Sequence, residues 1–193
     1  MLIIGGLTPF TTIDYPGKLA AVIFCQGCAW RCGYCHNQHL LDVGQSGAVP
    51  WPEVIRILEQ RRGLLDAVVF SGGEPTLQLH LPQAIATVRQ MGFLTGLHTT
   101  GAYPQQLLDC LPHLDWVGMD LKAPFDQYPQ ITGVPDSGIA AEQSAAMLRH
   151  SGVSHQFRTT VDSFLLQEGR IEKLKQMVTG WGEQLVLQEC RPD

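Results

Sequence analysis

The chain has 193 residues, of which 45% are hydrophobic and 16% charged, and its 13 Lys and Arg against 18 Asp and Glu give a net charge of −5. That length and apolar content support one domain with a sizeable core and exclude a disordered chain, while the acidic balance argues against a nucleic-acid partner. No apolar run reaches the roughly 20 residues that span a bilayer, and the N-terminus lacks the basic region and cleavage pattern of a signal peptide, so a soluble, cytoplasmic protein with no membrane partner is expected.

Apolar, strand-like runs alternate with helix-like stretches. In chain order the pattern predicts a strand over 19–26, a helix over 51–62, a strand over 67–71, a helix over 79–91 and a strand over 93–98. A helix over 103–111, a strand over 116–121, a helix over 139–151, a strand over 156–161, a helix over 168–179 and a strand over 184–188 complete it. Pro52 suits a helix start, and Gly63, Gly92 and Gly152 each follow a helical stretch as a C-terminal cap glycine would. Six strands alternating with five helices make an α/β fold with a parallel sheet. No GxGxxG follows the first strand, which removes the main support for a dinucleotide site. Polar residues instead fall just after successive strands, at 27–37, 72–76, 99–101 and 122–124. In a β/α barrel the working groups gather at those strand ends. The expectation is a partial, open TIM-like (β/α)6 barrel with parallel strands, residues 1–193 forming a single domain.

Cysteine usage carries the chemistry. Four of the six cysteines fall in Cys25-Gln-Gly-Cys28-Ala-Trp-Arg-Cys32-Gly-Tyr-Cys35-His-Asn. Without a signal peptide, clustered thiols point to metal or redox chemistry and not to a disulfide scaffold. Two patterns compete. Two CxxC pairs would bind zinc, but only three residues separate them, which strains a tetrahedral site. A CxxxCxxC loop of Cys28, Cys32 and Cys35 would hold an iron–sulfur cluster, leaving Cys25 as a small buried hydrophobe at the end of Val22-Ile23-Phe24. A [4Fe–4S] cluster held by three thiolates keeps one iron open to a chelating ligand such as an amino-carboxylate.

CxxxCxxC with Tyr34 before the last cysteine resembles the signature of radical S-adenosylmethionine enzymes, and Ser71-Gly72-Gly73-Glu74-Pro75 is similar to that superfamily's GGEP motif. Within it, Asp14-Tyr15-Pro16-Gly17-Lys18, Cys35-His36-Asn37 and Met119-Asp120-Leu121-Lys122 resemble the activating proteins of anaerobic ribonucleoside-triphosphate reductase. The resemblance runs from about residue 6 to residue 192. It implies a [4Fe–4S] cluster on Cys28, Cys32 and Cys35, with S-adenosylmethionine as the second cofactor. It also implies that Gly72, Gly73 and Glu74 hold the methionine amino group, that Tyr34 lies near the adenine, and that Thr99, Asp120 and Lys122 line the cofactor site.

Each of these residues also has a plainer reading. Gly72–Pro75 is an ordinary strand-to-helix turn, Tyr34 packs the loop, and Asp120 with Lys122 closes a strand end as a salt bridge. Arg158, in a strand-like run late in the chain, is suited to clamp a carboxylate of cofactor or substrate. In His98-Thr99-Thr100-Gly101 the related activases carry Asp-Thr-Asn-Gly. Here His98 stands for the aspartate, which removes a carboxylate on which a monovalent cation would rely. His36 and His39 read as flanking groups, and Cys110 and Cys190 as small hydrophobes.

By resemblance, the chain is a radical S-adenosylmethionine oxidoreductase. It takes an electron from reduced flavodoxin or ferredoxin, cleaves the cofactor and generates a glycyl radical on anaerobic ribonucleotide reductase, under anaerobic conditions. The rival readings are a radical enzyme acting on a small molecule of the modified-base-precursor type, and a zinc-binding structural protein. Little sequence remains for a cap over the barrel mouth, which favours a protein loop as substrate.

Overall fold

The structure, a computed structural model, describes residues 1–167 and 169–190; Glu168, expected at the start of the last helix, and residues 191–193 lie outside the described residues. In chain order the elements are β1 (Ile4–Thr11), β2 (Ala20–Cys25), α1 (Trp51–Glu59), β3 (Ala67–Gly72), α2 (Leu81–Gln90), β4 (Leu94–Thr99), α3 (Pro104–Cys110), β5 (Trp116–Asp120), α4 (Tyr128–Thr132), α5 (Ser137–His150), β6 (Ser154–Val161), α6 (Arg170–Gly180) and β7 (Leu185–Glu189). The strands form one sheet in sequence order. β2 to β7 run parallel to their neighbours and β1 pairs antiparallel with β2. β1 and β7 sit at opposite edges, so the sheet is open. This is the expected partial barrel with one antiparallel strand added before it. No helix among the described residues is long and apolar enough to cross a membrane.

Apolar runs such as β2 and β3 are covered on both faces, as parallel strands are. Strand parity sorts their side chains. Ala21, Ile23 and Cys25 join the large core with Val54 and Leu58 of α1, Val68 and Phe70 of β3, and Leu148 of α5. Ala20 and Val22 point the other way, into a small cluster with Tyr15, Val69 and Trp116 on the concave face. Tyr15 comes from the β1–β2 loop and its ring lies 5.2 Å from that of Trp116. Gly96 leaves it room, since a β-carbon there would stand 3.1 Å from the Tyr15 ring. The β1–β2 loop thus floors the barrel.

Two elements were not expected. β1 carries Gly5, Gly6 and Pro9, which hide its strand character, and its pairing with β2 is interrupted by register shifts. α4 is only five residues long, entered through Pro129 and closed by Gly133 at φ 70°. That Pro-then-Gly asymmetry is a helix signal even in so short a segment.

Candidate active site

The cysteine loop is held from three sides by backbone hydrogen bonds. Gly73 N–H donates to the Cys25 carbonyl at 3.0 Å and Glu74 N–H to the Gly27 carbonyl at 2.8 Å. Gly27 N–H donates to Leu40 and Arg31 N–H to Thr132 at the end of α4. Gly72 and Gly73 are required by this docking. A β-carbon on Gly72 would collide with the Cys25 backbone, and one on Gly73 with the Gly27 backbone. The close approach expected of these glycines is therefore made first to the cysteine loop.

One cavity of about 180 Å³ opens at the C-terminal ends of the strands. Cys28, Cys32 and Cys35 line it together with Tyr34, Gly72, Gly73, Thr99, Asp120, Lys122 and Arg158. Cys25 is absent from its wall. It is fully buried on the helix side of β2, where burial first and the charge of Glu74 second push its thiol up. Cys28 is also pushed up, to about 12, by the same two causes. Cys110 is fully buried in the core. Cys190 is half-buried, its sulfur 3.8 Å from Nε2 of His36.

Across the cavity floor runs a chain of polar contacts from four strands. Arg158 donates from Nε at 2.9 Å to Asp120 Oδ1, and its Nη2 lies 2.7 Å from the same oxygen. Lys122 Nζ stands 3.6 Å from Asp120 Oδ2. Burial alone would raise the Asp120 carboxyl, but Arg158 and Lys122 outweigh it and hold it below the usual carboxylate range. His98 Nε2 lies 3.1 Å from Arg158 Nη1 and 2.8 Å from the Asp14 carbonyl, and Nδ1 lies 3.3 Å from Ser71 Oγ. Burial, then the Arg158 charge, hold the ring down at about 4, so it is neutral near pH 7. Two cations against one carboxylate leave this floor with a net positive charge, suited to a ligand carboxylate. The Asp120–Lys122 pair is thus both the strand-end salt bridge and part of the cavity wall.

Tyr34 packs its ring under Lys122, with Nζ 5.5 Å from the centroid. Its hydroxyl is buried and has no hydrogen-bond partner among the described residues. Burial pushes this phenol up to about 12.

Glu74 differs from its expected place. It is fully buried behind the cavity wall, and its carboxylate accepts hydrogen bonds from Thr76, Thr99 and Thr100. Residue spacing pointed to Glu74 but not to these partners, because Thr99 and Thr100 reach it from the next strand. His98, Ser71 and Thr100 also join the wall. In the sequence they stand inside Ser71–Pro75 and His98–Gly101, beside the residues that the resemblance assigns to the cofactor.

The radical SAM superfamily profile matches residues 22–177, from β2 into α6. The chain is 30% identical over 183 residues to MJ1227 of Methanocaldococcus jannaschii, by name a glycyl-radical enzyme activating enzyme, covering 91% of this chain and 75% of that protein. It is 32% identical over 142 residues to the pyruvate formate-lyase-activating enzyme of Staphylococcus aureus strain USA300, covering 66% of this chain and 56% of that protein. Among solved structures it is similar to anSMEcpe with bound AdoMet, with a TM-score of 0.68 at 17% identity over 86% of this chain and 49% of that one. It is also similar to QueE from Escherichia coli, with a TM-score of 0.56 at 14% identity over 97% of this chain and 93% of that one. At these identities the structural likeness is one of fold.

Enzymes of this superfamily use a [4Fe–4S] cluster and S-adenosylmethionine. The residues present suit both. Three cysteines line one cavity and Cys25 does not, so a [4Fe–4S] cluster on the three would keep one iron open to a ligand. Arg158, Lys122 and Asp120 give the same cavity a net positive floor. The match over most of the chain identifies it: the chain belongs to the radical SAM superfamily of enzymes.

Proposed function

We propose that this enzyme activates a glycyl-radical protein, and that its target is anaerobic ribonucleoside-triphosphate reductase. The observation that carries the reading is the open sheet. β7 forms its far edge, next to β6, whose Arg158 and Thr160 line the cavity, and an extended polypeptide would enter along that side. The names of the two relatives support a protein substrate of this class. The Asp14–Lys18 segment, which floors the barrel, and the Met119–Lys122 motif, which supplies the floor's charges, support the choice of reductase.

When bound, the reduced [4Fe–4S] cluster and S-adenosylmethionine together supply a hydrogen-abstracting radical, the electron coming from reduced flavodoxin or ferredoxin. Cys28, Cys32 and Cys35 would hold the cluster by one thiolate each. Arg158 and Lys122 would take the methionine carboxylate, and Asp120 holds both cations in place. Tyr34 would lie near the adenine, Thr99 lines the cavity with its hydroxyl committed to Glu74, and Gly72 and Gly73 keep the β3 exit against the cysteine loop. The partner's own loop excludes water from the cavity once inserted.

The test is anaerobic reconstitution with iron and sulfide, reduction, and mixing with the reductase under electron paramagnetic resonance. A stable glycine-centred signal is expected. It should vanish when the reductase's radical glycine is replaced by alanine, while S-adenosylmethionine cleavage remains measurable. If no glycyl-radical protein yields the signal and a small metabolite drives stoichiometric cleavage, the reading falls.

A further inference from the structure

Glu74 brings a carboxylate into a fully buried position, and its partners there are hydroxyls and amides. Oε1 accepts from Thr76 N at 3.1 Å, Thr76 Oγ1 at 2.6 Å and Thr99 Oγ1 at 2.7 Å. Oε2 accepts from Thr100 N at 2.7 Å and Thr100 Oγ1 at 2.6 Å. A carboxylate offers about four lone-pair sites, so five donors fill it and leave no place for a ligand amine. Each threonine hydroxyl has one proton, and here all three protons point at Glu74. What Thr100 then offers the cavity is lone pairs only, strengthened by the charge behind them. Thr99 Oγ1 already accepts from Gly101 N–H at 3.0 Å, whereas Thr100 is half-buried, lines the cavity, and its hydroxyl oxygen has acceptor capacity in hand.

The geometry points to Thr100 Oγ1 as the contact that takes the ammonium group of S-adenosylmethionine, with Glu74 a positioning residue that acts through it. The ligand's positive charge is thus read at one remove, by a hydroxyl whose proton the carboxylate has turned away. This rests on the cavity taking S-adenosylmethionine in its amino-carboxylate form.

The test uses anaerobically reconstituted holoprotein, titrated at equilibrium with S-adenosylmethionine and with its deaminated analogue. Iron content and melting temperature are measured for every variant. Thr100→Val should weaken S-adenosylmethionine binding about tenfold or more, the scale of a charge-assisted hydrogen bond, and leave the deaminated analogue within about twofold. Thr100→Ser, which keeps the hydroxyl, should bind as the parent does. Glu74→Gln should show the same selective loss, and the double variant should lose less than the sum of the two. The Thr100 pair decides the matter even where Glu74→Gln fails to fold. If Glu74→Gln loses affinity while Thr100→Val keeps it, the carboxylate meets the amine directly and the relay is wrong. Equal losses for both ligands, or a lowered melting temperature alone, would reduce Glu74 to a staple between two loops. If the parent holoprotein binds neither ligand, the S-adenosylmethionine reading of the cavity fails instead.

Discussion

Gly118 on β5 is the space in which the Arg158 side chain lies. A β-carbon at Gly118 would stand 2.8 Å from Cζ and 2.9 Å from Nη1 of Arg158, and 2.7 Å from Cη2 of Trp116. The guanidinium can reach Asp120 because residue 118 has no side chain, and Trp116 braces it from beneath, 5.9 Å from ring centroid to Cζ. Gly118→Ala should therefore overpack the floor, costing roughly 1–3 kcal/mol. It should also turn Arg158 off Asp120 and lower S-adenosylmethionine affinity with iron content unchanged. Denaturant melts and ligand titration check both. Unaltered stability and affinity would mean that the arginine is free to lie elsewhere.

Cys25 is absent from the cavity that Cys28, Cys32 and Cys35 line, and this separates their expected phenotypes. Cys28→Ala, Cys32→Ala and Cys35→Ala should each lose the cluster and all S-adenosylmethionine cleavage after reconstitution. Cys25→Ala should keep its iron and lose only about 1 kcal/mol of stability, as a small core truncation does. Iron and sulfide analysis per chain decides this. An equal loss of iron for Cys25→Ala would restore a four-thiolate site.

Linear features were legible without the fold. The cysteine spacing and Gly72-Gly73-Glu74 lie within single segments, and strands buried on both faces announce themselves as apolar runs. What escaped is what the fold creates. The role of Gly118 depends on a side chain 40 positions later. Nothing local shows that Thr99 and Thr100 donate to the Glu74 carboxylate from the next strand. β1 escaped because Gly5 is kept for its neighbours: a β-carbon there would run into the Leu40 side chain. The sequence presents His98 as the residue that stands where the related activases have an aspartate. It is half-buried and hydrogen-bonded, but its partners come from β3, β6 and the β1–β2 loop.

His98 predicts a pH dependence of folding. Its ring faces Arg158, Asp120, the Asp14 carbonyl and Ser71, and it is held at about 4 in the folded protein against an ordinary value of 6.5. The unfolded chain therefore binds the proton first as pH falls. This part of the stability is intact above about 6.5 and is lost progressively between 6.5 and about 4, by roughly 3 kcal/mol at the limit. Urea denaturation of the metal-free protein across that range should show the slope, and His98→Gln should flatten it even though its baseline is lower. An identical slope in the variant would assign the proton uptake to another group.

Tyr34 gives a prediction with opposite signs in two states. Its hydroxyl is buried without a partner among the described residues, an arrangement that costs about 1–3 kcal/mol. The ring's contact with the Lys122 ammonium does not need the oxygen. Tyr34→Phe should thus leave the metal-free protein as stable as the parent, or about 1 kcal/mol more so. In the reconstituted holoprotein the same change should lower S-adenosylmethionine affinity several-fold, because the hydroxyl's missing partner is supplied by the ligand. Paired thermal melts and ligand titrations read the two signs separately. A variant that destabilises the metal-free protein and leaves ligand affinity untouched would show the hydroxyl to be satisfied within the chain. Tyr34 would then serve only to pack the cysteine loop against Lys122.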